Sequence, residues 1–471
     1  MNNKMSSLFK IGMIYTLSNI VVKGISFLTT PFFTRLMTQA EFGQYSSITS
    51  WVSILATIVT LDLYSAVSVA KYDHGEKIDG YLSSCLLFGN IVTLLFYAIV
   101  EMNMSVVEHF FVMDSTYIRI MFAYLLFYPA SQLLLAKYRI YNEYKQVIII
   151  TWLTVGISVG FQLLLVYCFT DKLLGRFLGN FACVSLLNVI LWSFILLKGR
   201  SFSLVHIKHA LRLSIPLIPH VLSGVLLNSS DRVMINSICG SEETALYSLA
   251  YTVSSIAGIF LISVNQAWIP WMYDRIDKNR NEIKKVSKFY VYGFAFFCCL
   301  MMLFGPEIVL IFGGRDYYPA RFVIAPVVAS IMLQFIYTQY VNIEFYRKKN
   351  IWISIATVLA TIINIGLNFI LLPYCGYLVA AYTTLIGFAF MVIFHIRIVK
   401  KQTSDSEIYD EKAFVVSTMI VIIMMGVSLV SYVHFMIRLL MIFFELVVVI
   451  YICVKNKETF MNLTKVIRRT K

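Results

Sequence analysis

Apolar stretches long enough to cross a bilayer recur fourteen times along this chain. They fall at roughly 11–33, 44–70, 81–101, 116–138, 146–169, 174–197, 211–238, 244–268, 288–312, 322–343, 351–373, 376–398, 413–433 and 435–454. Each approaches or exceeds about 20 residues, the length a helix rising about 1.5 Å per residue needs to cross about 30 Å of hydrocarbon. Strict alternation of polar and apolar positions, the mark of barrel strands of about 10 residues, is not seen. The pattern predicts an all-α polytopic membrane protein with about 14 transmembrane helices. Met1 to Lys10 is short and weakly basic, and the run behind it reaches about Phe33 without a small-x-small cleavage site. That first run therefore reads as a span, not as a removable signal peptide.

The positions of the basic residues test this division. With the N-terminus placed in the cytoplasm, the inward segments hold 30 Lys and Arg and the outward loops hold 6. Such an imbalance across short loops is the positive-inside signature, and it requires an even number of spans with both termini cytoplasmic. The expected location is a bacterial inner (plasma) membrane. The connection from Phe202 to Arg212 and the tail from Phe460 to Lys471 mix apolar and basic positions, as helices lying on an anionic lipid surface do.

The first and seventh spans open similar segments. Arg35, then Phe42-Gly43-Gln44-Tyr45-Ser46, precede a span ending at Lys71-Tyr72-Asp73; Arg232, then Ala245-Leu246-Tyr247-Ser248, precede one ending at Trp271-Met272-Tyr273-Asp274. The distances from Tyr45 to Tyr72 and from Tyr247 to Tyr273 are 27 and 26 positions. Two six-helix units that both begin inside are parallel repeats. The expected parts are an N-terminal lobe at 1–200, a C-terminal lobe at 201–400, and two extra helices with a basic tail at 401–471.

Composition narrows the function classes. Of 471 residues, 59% are hydrophobic and only 14% charged, with a mean hydropathy of +0.77, against about 25% charged in a soluble protein. The net charge of +14 sits in short clusters between apolar runs, so membrane topology explains it and nucleic acid is not an expected partner. Eight cysteines lie in or at the ends of apolar runs without a Cys-x-x-Cys pair, which predicts buried, inert thiols and no zinc or redox site. Walker and Rossmann signatures are absent, and His206 and His209 have no nearby carboxylate in sequence. No catalytic residue, metal or cofactor is expected, and the chain is read as a transporter, not an enzyme.

Ionisable residues inside spans cost about 2.5 kcal/mol or more on insertion scales, so each is a candidate for function. Lys23 should sit roughly 18 Å into the first span. Asp231-Arg232 follow Asn228-Ser229-Ser230 in the seventh, while Arg35 and Arg119 border the first and fourth. The candidate cationic substrate contacts are Lys23, Arg35, Arg232 and Arg119. The ion-coupling candidates are Asp62, Asp231 and Glu307, with Glu344 a further carboxylate near a helix end. Pro216 and Pro219 remove backbone donors in the seventh span and predict a bent or broken helix, a hinge or gate.

Lys23, Pro31, Thr34-Arg35 and Glu41-Phe42-Gly43-Gln44-Tyr45, with Pro216-Leu217-Ile218-Pro219, Ser230-Asp231-Arg232, Tyr247-Ser248, Trp268-Ile269-Pro270, Asn364 through Asn368, Pro373 and Gly376, resemble in order and spacing the polysaccharide (Wzx-like) flippases. These belong to the multidrug/oligosaccharidyl-lipid/polysaccharide exporter superfamily. The likeness covers about 11–400. It implies two six-helix lobes around a V-shaped cleft, and a polyprenyl-diphosphate-linked oligosaccharide repeat unit as cargo, bound for O-antigen, capsule or exopolysaccharide synthesis. Membrane lipids and polysaccharide assembly proteins are the further expected partners, and the carboxylates Asp62, Asp231 and Glu307 are the expected route for H+ or Na+ coupling. The alternatives are a multidrug or lipid II exporter of the same superfamily and, from another class, a membrane polysaccharide polymerase or ligase. The short outward loops leave little room for that last activity.

Overall fold

The computed structural model describes residues 21, 24–25, 27–402 and 408–455. Lys23 and the amphipathic tail from Phe460 to Lys471 lie outside the described residues. Among the described residues there is no strand. Helix α1 covers 27–36. It is followed by α2 (Gln39–Val59), α3 (Val67–His74), α4 (Ile78–Met102), α5 (Met104–Phe111), α6 (Ser115–Ile140), α7 (Tyr144–Cys168), α8 (Lys172–Phe177), α9 (Cys183–Gly199) and α10 (Leu204–Ser214). The remainder is α11 (Ile218–Ile238), α12 (Ser241–Tyr273), α13 (Arg280–Leu303), α14 (Gly305–Gly313), α15 (Arg321–Tyr346), α16 (Ile351–Cys375), α17 (Val379–Gln402), α18 (Glu411–Ser431) and α19 (Phe435–Lys455).

Eleven helical segments among the described residues are long and apolar enough to cross a membrane, and twelve if the bent pair α2–α3 is one span. The last expected run, 435–454, is the 21-residue α19, and α1 is the described part of the first. The all-α polytopic architecture expected from the apolar pattern is the observed one. Outward faces remain apolar, as with Trp152, Leu153 and Leu164 of α7 and Leu186 and Ile190 of α9, because a helix satisfies its own backbone and can present side chains to lipid.

Two irregularities shape the bundle. The expected break at Pro216 and Pro219 takes the form of one 3-10 turn, Ile215–Leu217. Both prolines stand in the first turns of their elements, where the missing N–H is not needed. Segments α10 and α11 thus form one 35-residue rod without a sharp bend. The sharp bend, 54°, lies between α2 and α3. There Leu61 (φ 50°) and Asp62 (φ 48°) are both left-handed, a conformation costing roughly 1–2 kcal/mol for each residue with a Cβ. No proline or glycine announces that break.

Helix α10, where an interfacial helix was expected, docks on α3 and α4. Tyr81 Oη lies 3.1 Å from His209 Nδ1, and His209 Nε2 lies 3.0 Å from Asp73. The rings of His74, His206 and His209 gather around the same spot, with His74 centred 5.1 Å from His206 and 4.9 Å from His209. The carboxylate partner that His209 lacks locally comes from 136 residues away.

At the opposite end, the first half of the chain meets the second along a seam. Helix α2 lies against α11 and α12. A Cβ on Gly43 would fall 1.7 Å from the Ser241 carbonyl oxygen, so only glycine permits this approach. Arg35 Nη2 donates to Ile311 O at 3.0 Å and Gln39 Nε2 to Asp316 O at 2.7 Å. Phe33, Met37, Phe42 and Val166 of the first half join the core of the second. Toward the α10 end, residues such as Leu63, Tyr81, Leu134 and Ala210 form a separate core. The halves therefore share the large core at the seam end, while α10 packs into the separate core of the first half.

The cysteines depart from expectation in part. Cys85, Cys298 and Cys299 are buried, but Cys168 and Cys375 are exposed at the last positions of α7 and α16.

Gly43→Ala must push α2 off Ser241, an overpacking that costs about 1–3 kcal/mol. The expected result is a thermal midpoint several degrees lower in detergent, read by thiol-reactive dye or scattering. An unchanged midpoint would mean that the seam is not closed in solution.

Candidate functional site

Asn228, Asp231 and Arg232 recur at helical spacing on α11, which brings the polar positions of that span onto adjoining faces. Asp231 is only 2% exposed. Stripping a carboxylate of water is affordable only if protein donors replace the lost hydration. Three do so from three further helices: Tyr247 Oη of α12 at 2.5 Å, Asn368 Nδ2 of α16 at 2.7 Å and Thr384 Oγ1 of α17 at 2.8 Å. Around them, Thr383 Oγ1 donates to Asn368 Oδ1 at 2.5 Å, and Asn364 Nδ2 donates to Thr384 Oγ1 at 3.1 Å. Asn364 Oδ1 is buried with no hydrogen-bond partner.

The donor set consists of oxygens only: the Asp231 carboxylate, the amide oxygens of Asn364 and Asn368, and the hydroxyls of Thr383, Thr384 and Tyr247. Such a set suits a hard cation or a proton, not a soft metal. The unpartnered Asn364 oxygen fits a cation as an additional ligand. No cluster of three or more His, Cys, Asp or Glu side chains fit to hold a metal occurs among the described residues.

Arg232 follows Asp231 but turns to another face. Its Nη1 donates to Asn228 O at 3.0 Å, and its guanidinium stands 4.5 Å over the Tyr251 ring. Tyr251 Oη in turn donates to Asn228 Oδ1 at 3.1 Å. The cation is half-buried, next to a buried carboxylate, and its hydrogen bond and ring contact are with neutral groups.

The other candidates are dispersed. Arg35 belongs to the seam described above. Arg119 is exposed and pairs with Glu101 at 2.7 Å, the kind of surface pair worth about 0–1 kcal/mol. Asp62, 1% exposed, accepts from Ser65 Oγ at the α2–α3 bend, and its Oδ1 is buried without a partner. Glu307 of α14 pairs with Arg438 of α19. Asp231 and Arg232, neighbours in the chain, are thus the only two of the described candidates that lie side by side.

Sequence reasoning passed over several of these groups. Thr383 and Thr384 carry no local signal, being two hydroxyls in an apolar run. Glu344, noticed as a carboxylate near a helix end, forms a fully buried pair with His395 of α17, Nδ1 to Oε1 at 2.7 Å and both side chains 0% exposed. A histidine isolated within an apolar run was the available signal.

A family model described as "Polysaccharide biosynthesis protein" matches residues 8–275. The chain belongs to this family. Among curated proteins, it is 24% identical over 385 residues to "Lsg locus putative protein 1" of Haemophilus influenzae, covering 76% of this chain and 90% of that protein. It is 23% identical over 382 residues to an "Uncharacterized membrane protein" of the same organism, covering 76% and 89%. Among solved structures, the lipid II flippase MurJ in an inward closed conformation superposes with a TM-score of 0.71 at 16% identity, covering 93% of this chain and all of that one. An inward-facing multidrug resistance MATE family transporter of the MOP superfamily superposes with a TM-score of 0.57 at 13% identity, covering 85% and 98%. The fold of this polysaccharide biosynthesis family member is that of MurJ and the MATE transporters, in keeping with the motif resemblance.

Asp231→Leu would leave the Tyr247, Asn368 and Thr384 donors buried without an acceptor, each unsatisfied group costing about 1–3 kcal/mol. Asp231→Asn keeps the volume and an acceptor oxygen. The expected order of thermal midpoints is wild type, then Asn, then Leu, with Leu lowest by many degrees; equal midpoints would contradict the hydrogen-bond network.

Proposed function

We propose that this protein is a flippase that moves polyprenyl-diphosphate-linked oligosaccharide repeat units from the cytoplasmic to the outer leaflet of a bacterial inner membrane. The units would feed surface polysaccharide synthesis: O-antigen, capsule or exopolysaccharide. The observation that carries the reading is Arg232, a half-buried cation inside a span of a polysaccharide biosynthesis family member. The fold shared with MurJ and a MATE transporter supports transport over an enzymatic role. The excess of Lys and Arg at the α10 end supports cytoplasmic placement of that end and of both termini.

The physical problem is a diphosphate and hydrated sugars that will not enter hydrocarbon unaided. A cation 4 Å from a phosphate oxygen gives about 4 kcal/mol at an effective dielectric of 20. Arg232, with Lys23, would supply that, while the polyprenyl tail stays in lipid between the lobes. Two six-helix lobes, 1–200 and 201–400, meeting at the seam, would alternate between inward and outward opening as the seam closes and parts. Moving negative charge outward across an inside-negative potential releases about 2.3 kcal/mol per charge per 100 mV. The Asp231 cluster would add drive by binding Na+ or H+ and linking occupancy to the packing of α11 against α12, α16 and α17.

Lys23→Ala and Arg232→Ala are expected to abolish flipping while the folded protein stays in the membrane. Normal surface polysaccharide in cells relying on either variant would refute the assignment. Sodium or proton binding at Asp231 should raise the wild-type thermal midpoint, by about 2.7 kcal/mol of stability at 100 times the dissociation constant, and Asp231→Asn should lose the response. Titration with Na+ at fixed pH, and with pH at fixed Na+, identifies the ion. Lipid II shares the polyprenyl-diphosphate chemistry, and the likeness to MurJ keeps it as a second reading. Rescue of a strain depleted of its lipid II flippase would select it.

A further inference from the structure

Arg176, on α8, has a side chain that none of the above uses. It is 8% exposed, yet no carboxylate among the described residues neutralises it. Its guanidinium lies 3.9 Å from the Phe33 ring centre, 3.8 Å from Tyr45 and 5.0 Å from Phe42. Its polar contacts are Gln162 Oε1 at 3.4 Å and Met37 Sδ at 3.7 Å. Rings attract a cation through their faces, but an arginine buried without an acid forgoes far stronger partners.

The surroundings hold it in place. The stretch Leu178–Ala182, directly after α8, is a π-helical turn, a local defect common at functional sites. It brings Asn180 Nδ2 to 2.7 Å from Tyr45 Oη, and Tyr45 Oη donates to Gln162 Oε1 at 3.2 Å. Phe33, Met37 and Phe42 are the same side chains that enter the core of the second half. From that half comes Tyr317, 1% exposed and edge-on at 5.9 Å to the same Phe42 ring that Arg176 borders. The Tyr317 hydroxyl is buried with no hydrogen-bond partner. A cation without an acid and a hydroxyl without an acceptor thus both border the Phe42 ring at the seam, and an oxyanion admitted there would satisfy both.

We propose that Arg176 and Tyr317 form a second anion-binding point, on the exit side, which takes the diphosphate group of the cargo as the seam opens. This deepens the flippase reading and rests on it. Closed, the seam covers the guanidinium with rings; parting, it uncovers a cation that has no competing carboxylate. The cargo would pass from Arg232 to Arg176, and closure of the rings over Arg176 would expel it outward.

The test uses the full chain in proteoliposomes with a fluorescent-sugar polyprenyl diphosphate, reading lipid binding, flipping rate and thermal midpoint for each variant. Arg176→Met is expected to keep the midpoint within a few degrees and cargo binding within twofold, and to flip at least tenfold slower. Arg176→Lys, which keeps the charge, should fall between, and Tyr317→Phe should slow flipping several-fold. Wild-type flipping by Arg176→Met would overturn the proposal. So would a joint fall of midpoint and rate in which Arg176→Lys is no better than Met, since that marks a structural cation. Arg232→Ala, run in parallel, separates the two ideas: full flipping by that variant sinks the flippase assignment itself, whereas its failure beside an active Arg176→Met sinks only the exit-side point.

Discussion

A polar group inside a bilayer has no water to fall back on, and in this protein that constraint selects which helices touch. Asp231 cannot stay in α11 unless donors from α12, α16 and α17 converge on it. One side chain therefore sets the relative placement of four helices. The same requirement draws α15 to α17 through Glu344 and His395, and α14 to α19 through Glu307 and Arg438. Apolar surfaces alone would not specify these neighbours, because lipid tails solvate Leu and Ile as well as another helix does.

The two halves meet the constraint differently. The second half pairs its buried acids with neutral donors, a histidine or an arginine. The first half buries Arg176 among rings and amides, and leaves one oxygen of Asp62 without a partner at a bend built on two left-handed residues.

Much of the fold was legible in the chain, because the length of an apolar run and the placement of Lys and Arg report directly on spans and loops. Asp231 and Arg232 stood out for a similar reason, being charges where charges are costly. The partners of Asp231 were not legible. Thr384 lies 153 positions away and looks like any small residue in an apolar helix. The prolines at 216 and 219 suggested a bent or broken seventh span, and the α-helix there gives way to a 3-10 turn without a sharp bend; the sharp bend, at Leu61–Asp62, packs against α10 and carries no such signal. Arg176, at the start of the expected span 174–197, drew no attention, because counting charges by side does not see the rings that close over them.

The rod formed by α10 and α11 carries a mechanical implication. Its first part is fastened to α3 and α4 by Tyr81, Asp73 and the histidine rings, and its far part holds Asp231 and Arg232 among helices of the other half. From His209 to Asp231 is about 33 Å of helix at 1.5 Å per residue. A stiff lever anchored in one body and loaded in the other cannot tilt at one end alone. Any repacking around Asp231 must either swing the histidine cluster with it or yield at the single 3-10 turn between them, which makes Ile215–Leu217 the natural fulcrum of the molecule.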